Sequence, residues 1–269
     1  MEKKYGILII CAVILVLCFA GTASAKTWYV DDDLQDFPYA DFTKIQNAVN
    51  IASPGDIIIV YNGTYHENIE VDKQLNLTGI GTPVVNGSEG ETAITLHADS
   101  CILEGFKVIG ASRGIGISSD NNSIKDNLIT SCVIGIYINF KSNENKIINN
   151  ILLNNSLSGI DMIRSNNSTL ANNIILNTSF GFGIWLYGSI NNSLVNNNIS
   201  NCDVNGISLK FSNNNIVNNN SLTATECGIF SYFGENNLIM DNHISNSSYG
   251  IEVEFSNQNT FTENSISHC

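Results

Sequence analysis

The stretch Leu170-Ala171-Asn172-Asn173-Ile174-Ile175 decides the fold, because its pattern returns at regular intervals along the chain. In each copy an apolar residue is followed three positions later by Asn, and two positions after that by another apolar residue. These Asn residues, called anchor asparagines below, are 22 to 24 positions apart. Such a period indicates stacked supersecondary units that bury their apolar faces against one another. The seven copies are Ile124–Asn127–Ile129, Ile147–Asn150–Leu152, Leu170–Asn173–Ile175, Leu194–Asn197–Ile199, Val217–Asn220–Leu222, Ile239–Asn242–Ile244 and Phe261–Asn264–Ile266.

A second signature, Gly-Ile, follows each of the first six anchor asparagines after eight to ten residues, as in Gly135-Ile136 and Gly183-Ile184. Each unit therefore contains about three short strands joined by turns, with apolar residues inward and polar residues outward. We expect Asn at the corners, in left-handed backbone conformations and stacked into amide ladders. We expect the Gly of the second signature to form a tight bend. Together these features predict a parallel β-helix.

The first 25 residues do not follow the repeat. Lys3 and Lys4 precede an apolar run over residues 7–20, and Ala23-Ser24-Ala25 has the small residues of a cleavage site. This pattern predicts a signal peptide over residues 1–25 and an exported protein, either secreted or held at the cell surface. The alternative is a leader that stays in place as a membrane anchor.

Residues 26–56 predict an N-terminal cap, followed by the β-helix repeats over residues 57–269. A short strand at residues 28–30 precedes an amphipathic helix that begins with a possible capping box, Thr43 and Gln46, and stops at Pro54-Gly55. Such a helix would cover the open end of the first coil. The last repeat is followed by no such helix, so we expect self-association or a partner at the C-terminal coil.

Several early motifs carry a resemblance to a known family. They are Ile45-Gln46-Asn47-Ala48-Val49, Ser53-Pro54-Gly55-Asp56, Gly63-Thr64-Tyr65, Glu67-Asn68-Ile69, Lys73, Leu77-Thr78-Gly79 and Glu104-Gly105-Phe106. With the repeats, they make residues 28–269 resemble the pectate-lyase-like superfamily, and more closely the NosD-type proteins frequent on archaeal cell surfaces. The resemblance implies a single-stranded right-handed parallel β-helix of about ten coils of 21–24 residues. It leaves the activity open, because such proteins include glycan-binding modules, carbohydrate-active enzymes and structural surface proteins.

The sequence gives little support for a metal-binding site. NosD-type proteins are often described as periplasmic copper-binding, and copper requires clustered His, Cys or Met ligands. The histidines outside the leader are scattered, so we expect no metal site and no cofactor. Asp31-Asp32-Asp33 could hold a cation such as Ca²⁺, although an acidic turn before the helix is the simpler interpretation. The histidines are His66, His97, His243 and His268.

An enzyme is the first functional alternative, as a polysaccharide lyase or a glycoside hydrolase. Hydrolases of this kind need two carboxylates about 5–10 Å apart. Glu252 and Glu254 lie two residues apart on one strand, and Asp161 and Arg164 could meet at a strand end. Alternating Glu residues also protect an exposed sheet edge, and we favour that interpretation. The sequence therefore favours a protein without catalytic activity.

Two outward rows follow the Gly-Ile signature and carry the preferred functional prediction. Rows with this many aromatic residues among polar ones are typical of surfaces that stack on sugar rings, although aromatic residues also favour strands in general. A structural surface-layer component, in which these rings serve packing, remains the third alternative. The predicted glycan-binding residues are Tyr137, Asp161, Trp185, Tyr187, Lys210, Phe230 and Tyr232.

The overall charge narrows the range of partners. Asp and Glu outnumber Lys and Arg by 25 to 12, so the formal net charge is −13. An acidic surface repels phosphate backbones, which argues against nucleic acid. It also disfavours strongly anionic polysaccharides. The expected partner is a polysaccharide or a cell-envelope glycan.

Overall fold

The computed structural model describes residues 25–88 and 90–269. Residues 1–24 of the predicted signal peptide lie outside the described residues. The chain winds into a right-handed parallel β-helix, as predicted, with about nine turns. Every strand pairs in parallel with its equivalent in the neighbouring coil, for example Ile124 beside Ile147. The only helix of the described residues is short and covers one end.

Three faces run along the β-helix. The first face is an 11-stranded sheet whose strands precede the anchor asparagines. Its strands are Thr27–Val30, Ile57–Val60, Asn76–Gly79, Ile102–Glu104, Ser123–Lys125, Lys146–Ile148, Thr169–Ala171, Ser193–Val195, Ile216–Asn218, Leu238–Met240 and Thr260–Thr262.

The second face consists of the strands that follow the anchor asparagines, and the third face of the strands that carry Gly-Ile. Two long strands, Asn198–Lys210 and Ser221–Tyr232, cross both faces without a break. The other strands of the second face are Thr64–Tyr65, Val84–Asn86, Lys107–Ile109, Leu128–Thr130, Ile151–Leu153, Ile174–Thr178, His243–Ser245 and Ser265–Ser267. Those of the third face are Ile69–Val71, Thr92–Leu96, Arg113–Ile117, Ile134–Ile138, Ser158–Ile163, Phe182–Tyr187 and Tyr249–Glu254.

Columns of branched aliphatic side chains fill the interior. Ile129, Leu152 and Ile175 form one such column and are completely buried. Burying an aliphatic side chain of this size stabilises the fold by about 1.5–3 kcal/mol. Four cysteines, Cys101, Cys132, Cys202 and Cys227, are also buried, and all five described cysteines are free thiols. The core is therefore one continuous apolar cylinder.

The anchor asparagines form a buried ladder along this cylinder. Oδ1 of Asn173 accepts hydrogen bonds from the backbone N–H of Asn150 at 3.0 Å and from its side-chain amide at 3.2 Å. Nδ2 of Asn173 donates to the carbonyl of Ile147 at 2.8 Å. The arrangement repeats at every anchor from Asn127 to Asn264, so each of these turns satisfies the backbone of the turn before it.

Left-handed asparagines stand at the corners, as predicted, and in four of the seven repeats one of them directly precedes the anchor. Six of the seven anchors are buried and Asn264 is partly buried, and the residue before each anchor has φ between 53° and 58°. That neighbour turns the chain at the surface, and the anchor side chain can then point inward. The left-handed residues are Asp126, Asn149, Asn172, Asn196, Asn219, Asp241 and Glu263.

A second buried ladder lies five residues before the anchors and escaped the sequence analysis. Its side chains accept backbone N–H groups in the same way. For example, Oδ1 of Asn145 accepts the N–H of Asn122 at 2.8 Å. The constant offset of five residues from each anchor indicates this ladder in the sequence, but the abundance of Asn hides it. The members are Asn122, Asn145, Ser168, Asn192, Asn215, Asn237 and Asn259.

The Gly of the Gly-Ile signature does not form a bend. Gly135 lies inside a strand and has no left-handed backbone. A Cβ atom there would lie 2.6 Å from the carbonyl oxygen of Gly159 in the next coil. Gly is required because neighbouring coils approach too closely for any side chain.

The cap helix spans Ile45–Ile51, and the predicted capping box is wrong. No side chain next to the helix caps it. Instead the Glu67 carboxylate accepts the N–H groups of Ile45 and Gln46 at 2.9 and 3.0 Å. At the other end Lys73 donates to three carbonyls, including that of Asn50 at 2.9 Å. An acid at the helix N-terminus and a base at its C-terminus also match the helix dipole.

The ladder makes a stability prediction. We expect Asn173→Ala to lower the free energy of unfolding by about 2–5 kcal/mol, because buried backbone groups of the preceding coil lose their partners. The matched control Asn198→Ala removes an exposed amide and should stay within about 0.5 kcal/mol. Urea unfolding followed by circular dichroism measures both. Equal losses in the two variants would contradict the role of the ladder.

Candidate functional site

Both outward rows lie on the third face in the register that the repeat predicted. In the first row Tyr137, Asp161 and Trp185 are neighbours in successive coils. In the second row Tyr187, Lys210 and Tyr232 are neighbours. Adjacent strands are about 4.8 Å apart, so residues from distant parts of the sequence share one surface.

The aromatic rings of this surface form a connected ridge. Trp185 and Tyr187 lie 5.8 Å apart between ring centroids, and Tyr187 meets Phe211 edge-on at 5.6 Å. Phe211 contacts Tyr232 at 5.9 Å, and Tyr232 stacks on Phe230 at 6.1 Å. The ridge, as the term is used below, consists of Phe182, Trp185, Tyr187, Phe211, Phe230, Tyr232, Phe233 and Phe255.

Four of these phenylalanines were missed from the sequence. Phe182 stacks on Trp185 at 5.7 Å. Phe211, Phe233 and Phe255 stack on one another in a column, with centroid distances of 5.4 and 5.0 Å. The sequence signal for this column is the 22-residue spacing of Phe211, Phe233 and Phe255, each of which lies one position after the second outward row.

The three stacked phenylalanines have strained backbones. Their φ angles are 52°, 49° and 48°, in the left-handed region that a bulky side chain avoids. The equivalent position is Gly188 two coils before Phe233, where no strain arises. These rings remain partly exposed, between 41% and 69%. The same turn position is also left-handed in earlier coils, at Lys141 and Arg164, so the exposure of the rings, and not the backbone angle, distinguishes these three phenylalanines.

Charged groups lie within and beside the ridge. The Lys210 ammonium lies 5.5 Å from the Tyr232 ring centroid and 5.9 Å from that of Phe211. Glu252 and Glu254 follow Phe230 and Tyr232 in the next coil. Polar groups that can bond hydroxyls therefore accompany the flat rings.

Tyr137 and Asp161 form a separate part of the site. Tyr137 has no ring contact with the ridge among the described residues; the Arg113 guanidinium lies over it at 4.2 Å and also pairs with Glu91. Asp161 lies between Tyr137 and Trp185 and is only 3% exposed, although we expected it to point outward into solvent. Its Oδ1 atom has no hydrogen-bond partner.

Burial raises the pKa of Asp161 to about 6, because its charged form is desolvated. The Ser158 hydroxyl and the Arg113 guanidinium act in the opposite direction, and their effect is smaller. A carboxyl group of this kind can donate or accept a hydrogen bond near neutral pH.

The predicted pairing of Asp161 with Arg164 is wrong. Arg164 makes no ion pair among the described residues, and its guanidinium lies 5.8 Å from the Phe140 ring. The cation near Asp161 is Arg113. Glu252 and Glu254 sit on the strand that we expected, and Glu254 is exposed. No second carboxylate influences the pKa of Asp161.

Potential metal ligands converge at one place in the described part of the chain, at Asp31, Asp32 and Asp33. None of the histidines belongs to such a group. His97 lies against Glu70 on the surface, with 2.5 Å between Nε2 and Oε2.

The fold and the site define a β-helix with an aromatic outer face, and comparison with known proteins agrees. Residues 113–266 match the family described as right handed beta helix region, and residues 39–159 match the family described as periplasmic copper-binding protein (NosD). The chain belongs to the right-handed β-helix family and is NosD-like.

One relative is the cell surface glycoprotein of Methanothermus fervidus, 32% identical over 138 residues. The match covers 48% of this chain but 22% of that relative, so the chain spans less than a quarter of its length.

Solved structures share the fold at low sequence identity. The structure of XylC with xylose has a TM-score of 0.76 and 12% identity, and the match covers 88% of this chain and 69% of XylC. Pectate lyase Pel9A has a TM-score of 0.64 and 13% identity, with coverages of 90% and 80%.

A membrane-spanning helix needs both sufficient length and an apolar sequence. Within residues 25–88 and 90–269, no helix has the length and apolar character needed to cross a bilayer.

The raised pKa of Asp161 makes a prediction about pH. Because the folded-state pKa of about 6 exceeds the usual 3.8, ionisation destabilises the folded protein. The penalty is absent below about pH 4, complete above about pH 6, and amounts to about 3 kcal/mol. Asp161→Asn should therefore stabilise the protein at pH 7.5 and change little at pH 4.

Urea titrations at both pH values measure this difference. Asp203→Asn, which changes an exposed carboxylate on the long strand Asn198–Lys210, is the control. An Asp161→Asn variant that is no more stable than the control at pH 7.5 would refute the assignment.

Proposed function

We propose that this protein binds a neutral polysaccharide along the third face, through the ridge. The observation that carries the proposal is the continuous set of exposed and partly exposed rings, which extends over four coils from Trp185 to Phe255. Three strand spacings separate these two ends, or about 14 Å. An extended chain of sugar units matches such a surface better than a compact ligand does.

The chemistry of the ridge supports a sugar ligand. Trp and Tyr offer flat apolar faces together with a polar N–H or O–H group. Lys210 lies among the rings, and Glu252 and Glu254 can accept hydrogen bonds from hydroxyls.

The charge of the protein favours a neutral ligand. The chain carries a formal charge of −13, and three carboxylates flank the ridge on the third face. A polyanion such as pectate would meet repulsion there. Neutral polymers avoid this cost.

Export to the cell surface completes the proposal. The predicted signal peptide over residues 1–25 and the similarity to a cell surface glycoprotein both support it. The resemblance of the fold to XylC and to a pectate lyase supports a carbohydrate partner in general terms. At the surface, the β-helix would hold envelope or environmental glycan without cleaving it.

Binding can be tested with two ring deletions. We expect wild-type protein to bind at least one member of a panel of neutral polysaccharides that includes xylan, and to bind pectate more weakly. Trp185→Ala and Tyr232→Ala should each weaken binding at least tenfold, or about 1.4 kcal/mol, because a stacking surface is lost. Affinity electrophoresis and calorimetry measure this.

Tyr39→Ala is the matched control, since Tyr39 is 86% exposed and lies in the N-terminal segment, outside the ridge. Failure to bind any polysaccharide, or equal binding by all three variants, would sink the proposal. If the wild-type protein releases new reducing ends or unsaturated products from a polysaccharide and Asp161→Asn does not, the protein is an enzyme and the binding proposal is wrong.

The strained column gives an independent prediction. Phe233→Asn should weaken glycan binding while stability falls by less than about 1 kcal/mol. The lost ring contacts are worth about 0.5–1.5 kcal/mol, and relief of the left-handed backbone returns about 1–2 kcal/mol. Thermal unfolding and calorimetry measure the two effects. A large loss of stability with unchanged binding would make the column a packing feature.

A further inference from the structure

Beyond glycan binding, the structure assigns a calcium site to the turn formed by Asp31, Asp32 and Asp33, which follows the first strand. One carboxylate oxygen from each residue lies within 4.8 Å of the other two. Calcium binds oxygen ligands at 2.3–2.6 Å, so two ligands of one ion can lie up to about 5 Å apart. The three carboxylates therefore have the spacing of a shared ion.

The decisive atom is Oδ1 of Asp31. The Asp31 side chain is completely buried, and its Oδ2 accepts the N–H of Phe37 at 2.6 Å. Oδ1 has no hydrogen-bond partner. A buried carboxylate oxygen without a partner is costly unless an ion or another donor compensates it. Calcium beside Asp31 supplies that compensation.

The other two carboxylates are held in position by the backbone. Oδ2 of Asp32 accepts the N–H of Thr64 at 2.9 Å, and Oδ1 of Asp33 accepts the N–H of Gln35 at 2.9 Å. Asp32 also fills the space over Gly63, where a Cβ atom would lie 2.2 Å from its Oδ1. A carboxylate bound in this way keeps a free lone pair for a metal.

No side-chain cation neutralises this turn in the described part of the chain. The three ion pairs found there join His97 to Glu70, Arg113 to Glu91 and Lys125 to Glu104. Three carboxylates this close repel one another. An all-oxygen, partly buried site of this charge suits Ca²⁺ better than Mg²⁺, which retains most of its water.

Bound calcium would connect the cap to the first coils. Asp31 contacts the segment around Phe37, whereas Asp32 contacts the strand that begins at Thr64. We therefore expect calcium to raise the thermal stability of the whole chain by about 5 °C at a hundredfold excess over Kd.

The test uses the full chain after removal of divalent ions with EDTA. Terbium luminescence excited through tyrosine, displaced by Ca²⁺, reports binding, because Tyr61 stacks on Phe37 at 4.8 Å beside the site. Asp31→Asn and Asp33→Asn should weaken binding at least tenfold and abolish the calcium-dependent shift in Tm. Asp36→Asn, an exposed position in the same segment, is the control and should bind as wild type does.

Absence of terbium emission and of a Tm shift at millimolar Ca²⁺ would overturn the site. Equal binding by Asp33→Asn and Asp36→Asn would also overturn it, and this comparison decides the matter if Asp31→Asn fails to fold. An equal Tm shift with Mg²⁺ would overturn the assignment to calcium.

Discussion

The hydrogen bond between one anchor asparagine and the next is the interaction on which the rest of this structure depends. Between Asn150 and Asn173 it joins a side-chain oxygen to the backbone and the side-chain amide of the preceding coil, in the buried interior. A shift of one residue in any coil would break it and leave buried polar groups unpaired. The ladder thus fixes the register, and the register decides which side chains meet on the outer faces.

The outer faces are free to vary because the ladders and the apolar columns secure the coils. On the third face this freedom produces a ridge of rings, a buried carboxylate at Asp161 and a strained column at Phe211, Phe233 and Phe255. The buried carboxylate and the left-handed backbone of the column both cost folding energy. A scaffold with two ladders of buried polar side chains can tolerate such costs locally.

The repeat period, the parallel strands and both outward rows could be predicted from the sequence, because a two-residue alternation within a fixed period determines them. Burial was harder to predict. Asp161 points outward along its strand but is covered by neighbouring side chains, and Glu67 caps a helix that lies 21 residues earlier in the chain. Both depend on contacts between coils, which a single strand pattern does not contain. The column of phenylalanines was missed because it lies in the turn, beyond the strand.

The stacked Gly residues of the Gly-Ile signature affect how the number of coils can change during evolution. Gly135 faces the carbonyl of Gly159, and Gly159 faces that of Gly183, so each contact reaches one coil and no further. Duplication or deletion of a single complete coil leaves every such contact intact, whereas a partial insertion inside a strand does not. The ridge from Trp185 to Phe255 would lengthen or shorten in steps of one strand spacing by the same events. Unequal recombination between repeats can therefore change the length of the ridge by whole coils.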